Sequence, residues 1–244
     1  MQQNIYSNFD RLRLPLILLV VFIHAQFSAP EMETSMSLYG AVSHFLTLEI
    51  SQVAVPLFFF MSGCLYFRDY KEFSLALYYK KQKRRIRSLV IPYLTWNTFF
   101  WFLFSMFIMI VPTLVNGGIP NIANATVKDI VWVYWGNATG GPIDFPLWFV
   151  RDLIVVTIIS PLIYFTVLRY KIGLLTIIAL ASLWFLGIPV PNLGNNICMC
   201  LFFFSLGSLI NKMKLDKGTN KALLRGGGTF IGRKFCIFGS YFYN

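Results

Sequence analysis

Apolar residues along this chain come in long blocks, and polar residues collect between them. Six blocks stand out: Leu14 to Phe27, Val53 to Phe67, Leu89 to Val115, Leu147 to Leu168, Ile172 to Ile188 and Ile197 to Ile210. Each is read as a helix crossing hydrocarbon, because a span needs about 20 mostly apolar residues. The first and last are short. A 14-residue helix covers about 21 Å of the ~30 Å hydrocarbon core, so flanking residues must extend it or neighbouring helices must shield it. The predicted fold class is therefore all-α, a multi-pass transmembrane bundle of about six helices occupying residues 1–211. In the remaining segment, 212–244, glycines cluster after Asn220, basic residues scatter and no block is long enough to span.

Composition supports the same class. Of 244 residues, 57% are hydrophobic and 13% charged, about half the charge of soluble domains. The formal charge of +11 raises nucleic acid as a partner, but its placement argues against one. The densest basic run, "YYKKQKRRIRSLVIPY", sits directly before an apolar block, as in a cytoplasmic loop touching anionic lipid headgroups. With the N-terminus placed in the cytoplasm, all of the 21 Lys and Arg except Lys128 and Arg151 fall on the inner side of six alternating spans. That asymmetry predicts cytoplasmic N- and C-termini and an inner-membrane location. No small-residue cleavage pattern follows the first block, so that span is expected to stay in the mature protein.

Cys64, Cys198, Cys200 and Cys236 form no metal-ligand framework, and no metal is expected. His44 lies near Glu31, Glu33 and Glu49 without zinc spacing and is read as a solvated or interfacial histidine. The loop from Asn116 to Pro146 carries "DIVWVYW", read first as an interfacial anchor and second as a surface for stacking on sugar rings. Its two Asn-Ala-Thr sequons, at Asn124 and Asn137, matter only in a eukaryotic secretory pathway.

Ionisable residues inside the spans are the candidates for chemistry, because burial in hydrocarbon is costly. Eleven positions separate Arg13 from His24. At 3.6 residues per turn both lie on one helix face within about 20°, with His24 about 16 Å deeper. Pro15 either starts this helix or bends it, and a bend loosens the alignment. One reading has Arg13 holding a phosphorylated cytoplasmic donor while a neutral His24 accepts a proton from an acceptor hydroxyl. The plainer reading makes Arg13 a topology anchor and His24 an interhelical hydrogen-bond partner.

The Arg-X10-His spacing, followed in order by "VPLFFFMSGCLYF", "KRRIRSLVIPYLTW" and "PLWFVRDLIVV", resembles the acyltransferase-3 family of membrane acyltransferases over Asn8 to Lys212. The resemblance implies transfer of an acyl group, often acetyl, from cytoplasmic acyl-CoA to a hydroxyl of a glycan or lipid-linked carbohydrate. In these terms His24 is the catalytic position and Arg13 its matched arginine. Arg84, Arg85 and Arg87 then stand as contacts for the CoA phosphates, or as topology and lipid anchors. Ser62 and Gly63 are expected to serve close helix packing. Arg151 and Asp152 are expected to pair with other helices, and with Trp148 they are structural before they are acceptor-site residues.

Family members commonly carry more membrane helices on a longer chain, and the glycine-rich end fits a truncated or frameshifted reading frame, which implies an inactive polypeptide as one alternative. The other alternative is a small-solute transporter or glycolipid flippase with Arg13 and His24 along its path. Transporters commonly show internal repeats, and no convincing second copy of the first three spans is visible.

Overall fold

The structure is a computed structural model. It describes residues 11–12, 14–21, 45, 51–70, 72–111, 119–136, 141–169, 172–188, 190 and 196–225, with side chains placed as far as Met213. Among the described residues every regular element is helical, as the apolar blocks predict. Residues 14–21 are helical in the first block, whose remainder lies outside the described residues. After them come α1 (Ala54–Tyr66), α2 (Leu75–Arg85), α3 (Ile91–Ile110), α4 (Val127–Tyr134), α5 (Trp148–Ile158), α6 (Ser160–Ile163), α7 (Gly173–Phe185) and α8 (Ile197–Arg225).

Three expectations need correction. The third block is the apolar part of a longer helix, because α2 runs into α3 through a widened turn, Ile86–Val90, in which the Ile91 amide bonds Ile86 five residues back. Pro92 explains the widening: it has no amide hydrogen and its ring crowds the carbonyl four residues earlier. The composite Leu75–Ile110 is, among the described residues, the one helix long and apolar enough to cross a membrane without a break. The fourth block is not straight: Phe145–Ile158 and Ser160–Arg169 meet at 60°, at a break beside Pro161. α8 continues past residue 211, so the first part of the expected tail is helix as far as Arg225.

The tightest packing joins α1 to α8. A Cβ on Gly63 would lie 2.0 Å from the Phe204 carbonyl oxygen, and one on Gly207 would lie 2.1 Å from that of Phe60. Only glycine lets the two backbones come this close, as the Ser-Gly pair in the sequence predicts for Gly63. The Cys64 thiol closes the seam by donating to the Gly207 carbonyl at 3.1 Å. Beside it, Phe67, Tyr70 and Tyr164 form an aromatic cluster, with Phe67 and Tyr70 edge to face at 5.3 Å.

Outside this core the helices present apolar side chains. α3 exposes Phe99, Phe102 and Phe107, and on α7 Leu174 and Leu175 are open while Phe185 is 89% exposed. In water such a surface is a liability, whereas in lipid it costs nothing.

Valine at Gly63 or Gly207 must push the two backbones apart, because the clash is with main-chain atoms. Each substitution is expected to cost about 3 kcal/mol or more. Thermal denaturation in detergent measures it, and a parental midpoint for both variants would refute the close seam.

Candidate functional site

Arg13 and His24 both lie outside the described residues, as does His44. Residues 14–21, which lie between the first two, are placed: Leu16 packs in a cluster with Ala54 and Met61 of α1. The remaining polar machinery falls into two groups.

The first group is built by α2 against the bend between α5 and α6. Ser74 caps α2 by accepting the Leu77 amide at 3.4 Å. The bend leaves two carbonyls without their usual helical donors four residues on. Pro161 has no hydrogen to give the carbonyl of Thr157, and the Leu162 amide bonds Ile159, bypassing Ile158. α2 fills both vacancies: Gln82 donates to the Thr157 carbonyl at 2.6 Å and the Tyr78 hydroxyl donates to that of Ile158 at 3.0 Å. Gln82 also donates to the Tyr66 hydroxyl, which accepts from Ser160 at 2.8 Å. Lys81 lies 3.2 Å from Asp69, donates to the Tyr66 carbonyl and sits over the Tyr70 ring at 4.7 Å. Desolvation pushes the Asp69 carboxyl up, but Lys81 and Arg68 outweigh it and hold it below its ordinary value. Burial pushes the Tyr70 phenol up.

Among the three arginines assigned to donor phosphates, Arg85 turns inward, its guanidinium 6.0 Å from the centre of the Tyr66 ring, while Arg84 and Arg87 are exposed. Beside this group opens a cavity of about 950 Å³ lined by cations from three separate stretches, Arg68, Arg169 and Lys212. Charge counting assigns all three to the same membrane side, and the structure gathers them around one cavity.

The second group ties the loop that follows α3 to α3 itself. All four buried side chains of α3, at spacings of four, carry a polar atom: Tyr93, Asn97, Trp101 and Ser105. Each is hydrogen-bonded to that loop. Tyr93 donates to the Tyr134 carbonyl, Asn97 accepts the Asp144 amide at 3.1 Å, Trp101 donates to the Pro120 carbonyl at 2.7 Å, and Ser105 accepts the Ile122 amide at 3.1 Å. Within the loop, Thr126 and Asp129 form a reciprocal capping box that starts α4. The "DIVWVYW" stretch is thus a short helix ordered by α3 as well as an aromatic surface.

Arg151 and Asp152 reach other helices as expected, and in addition they pair with each other. Both are buried, and two guanidinium nitrogens reach Asp152 Oδ1 at 2.9 Å. Arg151 also donates to the Trp135 carbonyl at the end of α4, a position where a cation complements the helix dipole. Asp152 accepts the Cys200 thiol at 3.8 Å, so its link to another helix is to α8. Among the described residues no three His, Cys, Asp or Glu side chains come together as a metal site.

A family model described as an acyltransferase domain, that of the acyltransferase-3 group, matches residues 6–244. The chain belongs to the acyltransferase-3 family. It is 30% identical over 220 residues to the succinoglycan biosynthesis protein ExoH of Rhizobium meliloti (strain 1021), over 85% of this chain and 54% of that protein. The chain therefore spans about half the length of the curated relative it matches. No solved structure matches it. The family landmarks now have places: the Ser-Gly pair lies on the α1 seam, the basic lead is α2 with its widened turn, and the Leu-Trp-Phe block opens α5.

The sequence reading passed over Tyr78, Gln82 and the α3 stripe. A signal existed for the stripe, since Asn97 and Ser105 lie eight residues apart on one face of an otherwise apolar helix. Replacing Asn97 by Leu keeps the volume but leaves the Asp144 amide unpaired, at about 1–3 kcal/mol. We expect the Asn97→Leu loop to be cleaved at lower protease concentration while the helical signal is retained, and equal cleavage would refute the tether.

Proposed function

We propose that the protein is a multi-pass enzyme of the inner membrane with its N-terminus in the cytoplasm. It transfers an acyl group, with acetyl the first candidate, from cytoplasmic acyl-CoA to a hydroxyl of a glycan or lipid-linked carbohydrate. The observation that carries this reading is the family match across residues 6–244, which includes both Arg13 and His24. The name of the ExoH relative, a succinoglycan biosynthesis protein, supports a polysaccharide acceptor. The gathering of Arg68, Arg169 and Lys212 around one cavity supports the sidedness.

In this proposal Arg13 holds donor phosphate at the inner boundary, and the exposed Arg84 and Arg87 with Arg85 attract the polyanionic donor toward it. His24, deeper in the bundle, removes the proton from the acceptor hydroxyl as the oxygen attacks the thioester carbon, and CoA leaves as the thiolate. An acyl-histidine route uses the same residue as the first nucleophile. The loop anchored on α3, with its tryptophans, offers ring faces for sugar stacking on the acceptor side.

The test supplies radiolabelled acetyl-CoA to membranes carrying either wild-type or His24→Ala protein and follows label into glycan. Loss of a general base is expected to lower incorporation by about 10²–10⁴. Equal incorporation by the two proteins would end the role of His24. Arg13→Lys keeps the charge but loses the planar fork, and is expected to be nearly as damaging as Arg13→Ala if phosphate is gripped through two nitrogens.

A further inference from the structure

The cavity beside Arg68, Arg169 and Lys212 takes no part in the steps above, yet its walls have a definite chemistry. Its volume of about 950 Å³ lies at the upper end of the range for small-molecule sites. One wall is aromatic, with Tyr164 and Phe165 beside Phe73 at 5.4 and 5.0 Å, and Phe165 is 39% exposed. The lining also brings in cations from just after α1, from the helical turns after α6, and from α8. The lining holds three cations against two acids, Glu72 and Asp69, and Asp69 is also met by Lys81 at 3.2 Å, so the cavity keeps a net positive charge. Lys212 gives one hydrogen to the Leu168 carbonyl, and an ammonium has two more. Flat rings and cations lining one cavity suit a heteroaromatic base joined to phosphates.

We infer that this cavity seats the nucleotide portion of the acyl donor, the base against Phe165 and Tyr164 and the phosphates on Arg169 and Lys212. The inference rests on the acyl-CoA reading above and adds Arg169 and Lys212 to Arg13 as holders of the donor's several phosphates, while Arg84 and Arg87 do not line the cavity. The exposed arginines of α2 then steer the donor and the cavity holds it.

An anionic lipid headgroup shares the phosphate chemistry, so the experiment separates the two sources. The full chain is placed in nanodiscs of phosphatidylcholine alone, and titrated with coenzyme A, adenosine 3′,5′-bisphosphate and inorganic pyrophosphate. Arg169→Gln combined with Lys212→Gln is expected to weaken coenzyme A roughly tenfold or more, since two charge-assisted contacts are lost. Lys128→Gln in the loop after α3 is expected to bind within about twofold of wild type, as a distant exposed charge is largely screened. Phe165→Leu keeps every charge, and is expected to weaken coenzyme A and the bisphosphate while leaving pyrophosphate unchanged, a pattern that misfolding does not produce.

Undiminished coenzyme A binding in the Arg169/Lys212 variant, with loss in Arg84→Gln/Arg87→Gln, would overturn the cavity assignment and leave the donor reading standing. Wild-type protein that binds no coenzyme A would overturn both. If the Arg169/Lys212 variant loses only co-purifying phosphatidylglycerol, the phosphate site belongs to lipid and the inference falls.

Discussion

An apolar solvent offers nothing to a bare carbonyl, and the bend at Ile159 sets two of them loose. The chain answers with α2, whose Gln82 and Tyr78 supply the missing hydrogens. Much of the first polar group depends on that repair. It presses a strongly basic helix against the core, brings Gln82 to the Tyr66 hydroxyl, and sets Lys81 over Tyr70 beside Asp69. Without the bend, α2 would lose two of the polar contacts by which it docks.

The glycine seam works in the same direction. By letting α1 and α8 touch backbone to backbone, Gly63 and Gly207 bring the end of α1 close to Ser208, Asn211 and Lys212. Packing that is driven by van der Waals contact, as it is between helices in lipid, needs such small residues to define one arrangement among many. The cavity is thus framed by a seam on one side and a repaired break on the other.

The helices were legible because a bilayer leaves the backbone few choices and apolar blocks mark where it must be satisfied locally. The bend was not legible from Pro161 alone, since proline is tolerated in membrane helices when neighbours repair the gap, and the repairing residues lie some 75 to 80 positions away. Arg68, Arg169 and Lys212 could be assigned to one side by counting charge, but not to one cavity, because no local pattern links residues so distant in sequence. The partners of the α3 stripe are largely main-chain atoms of the loop, which any residue could have supplied. Arg13 and His24 stood out for the opposite reason: their relation is local, a fixed spacing along one block, and meaning came to it from the family.

The long helix from Leu75 to Ile110 carries the exposed Arg84 and Arg87 in its basic first part and the four loop anchors along its apolar half. Because Tyr93, Asn97, Trp101 and Ser105 hold that loop mostly by its backbone, they are indifferent to most of the side chains it displays. The arrangement separates a fixed mount from an exchangeable face. The side chains that the loop displays can therefore change without disturbing the rod that mounts it.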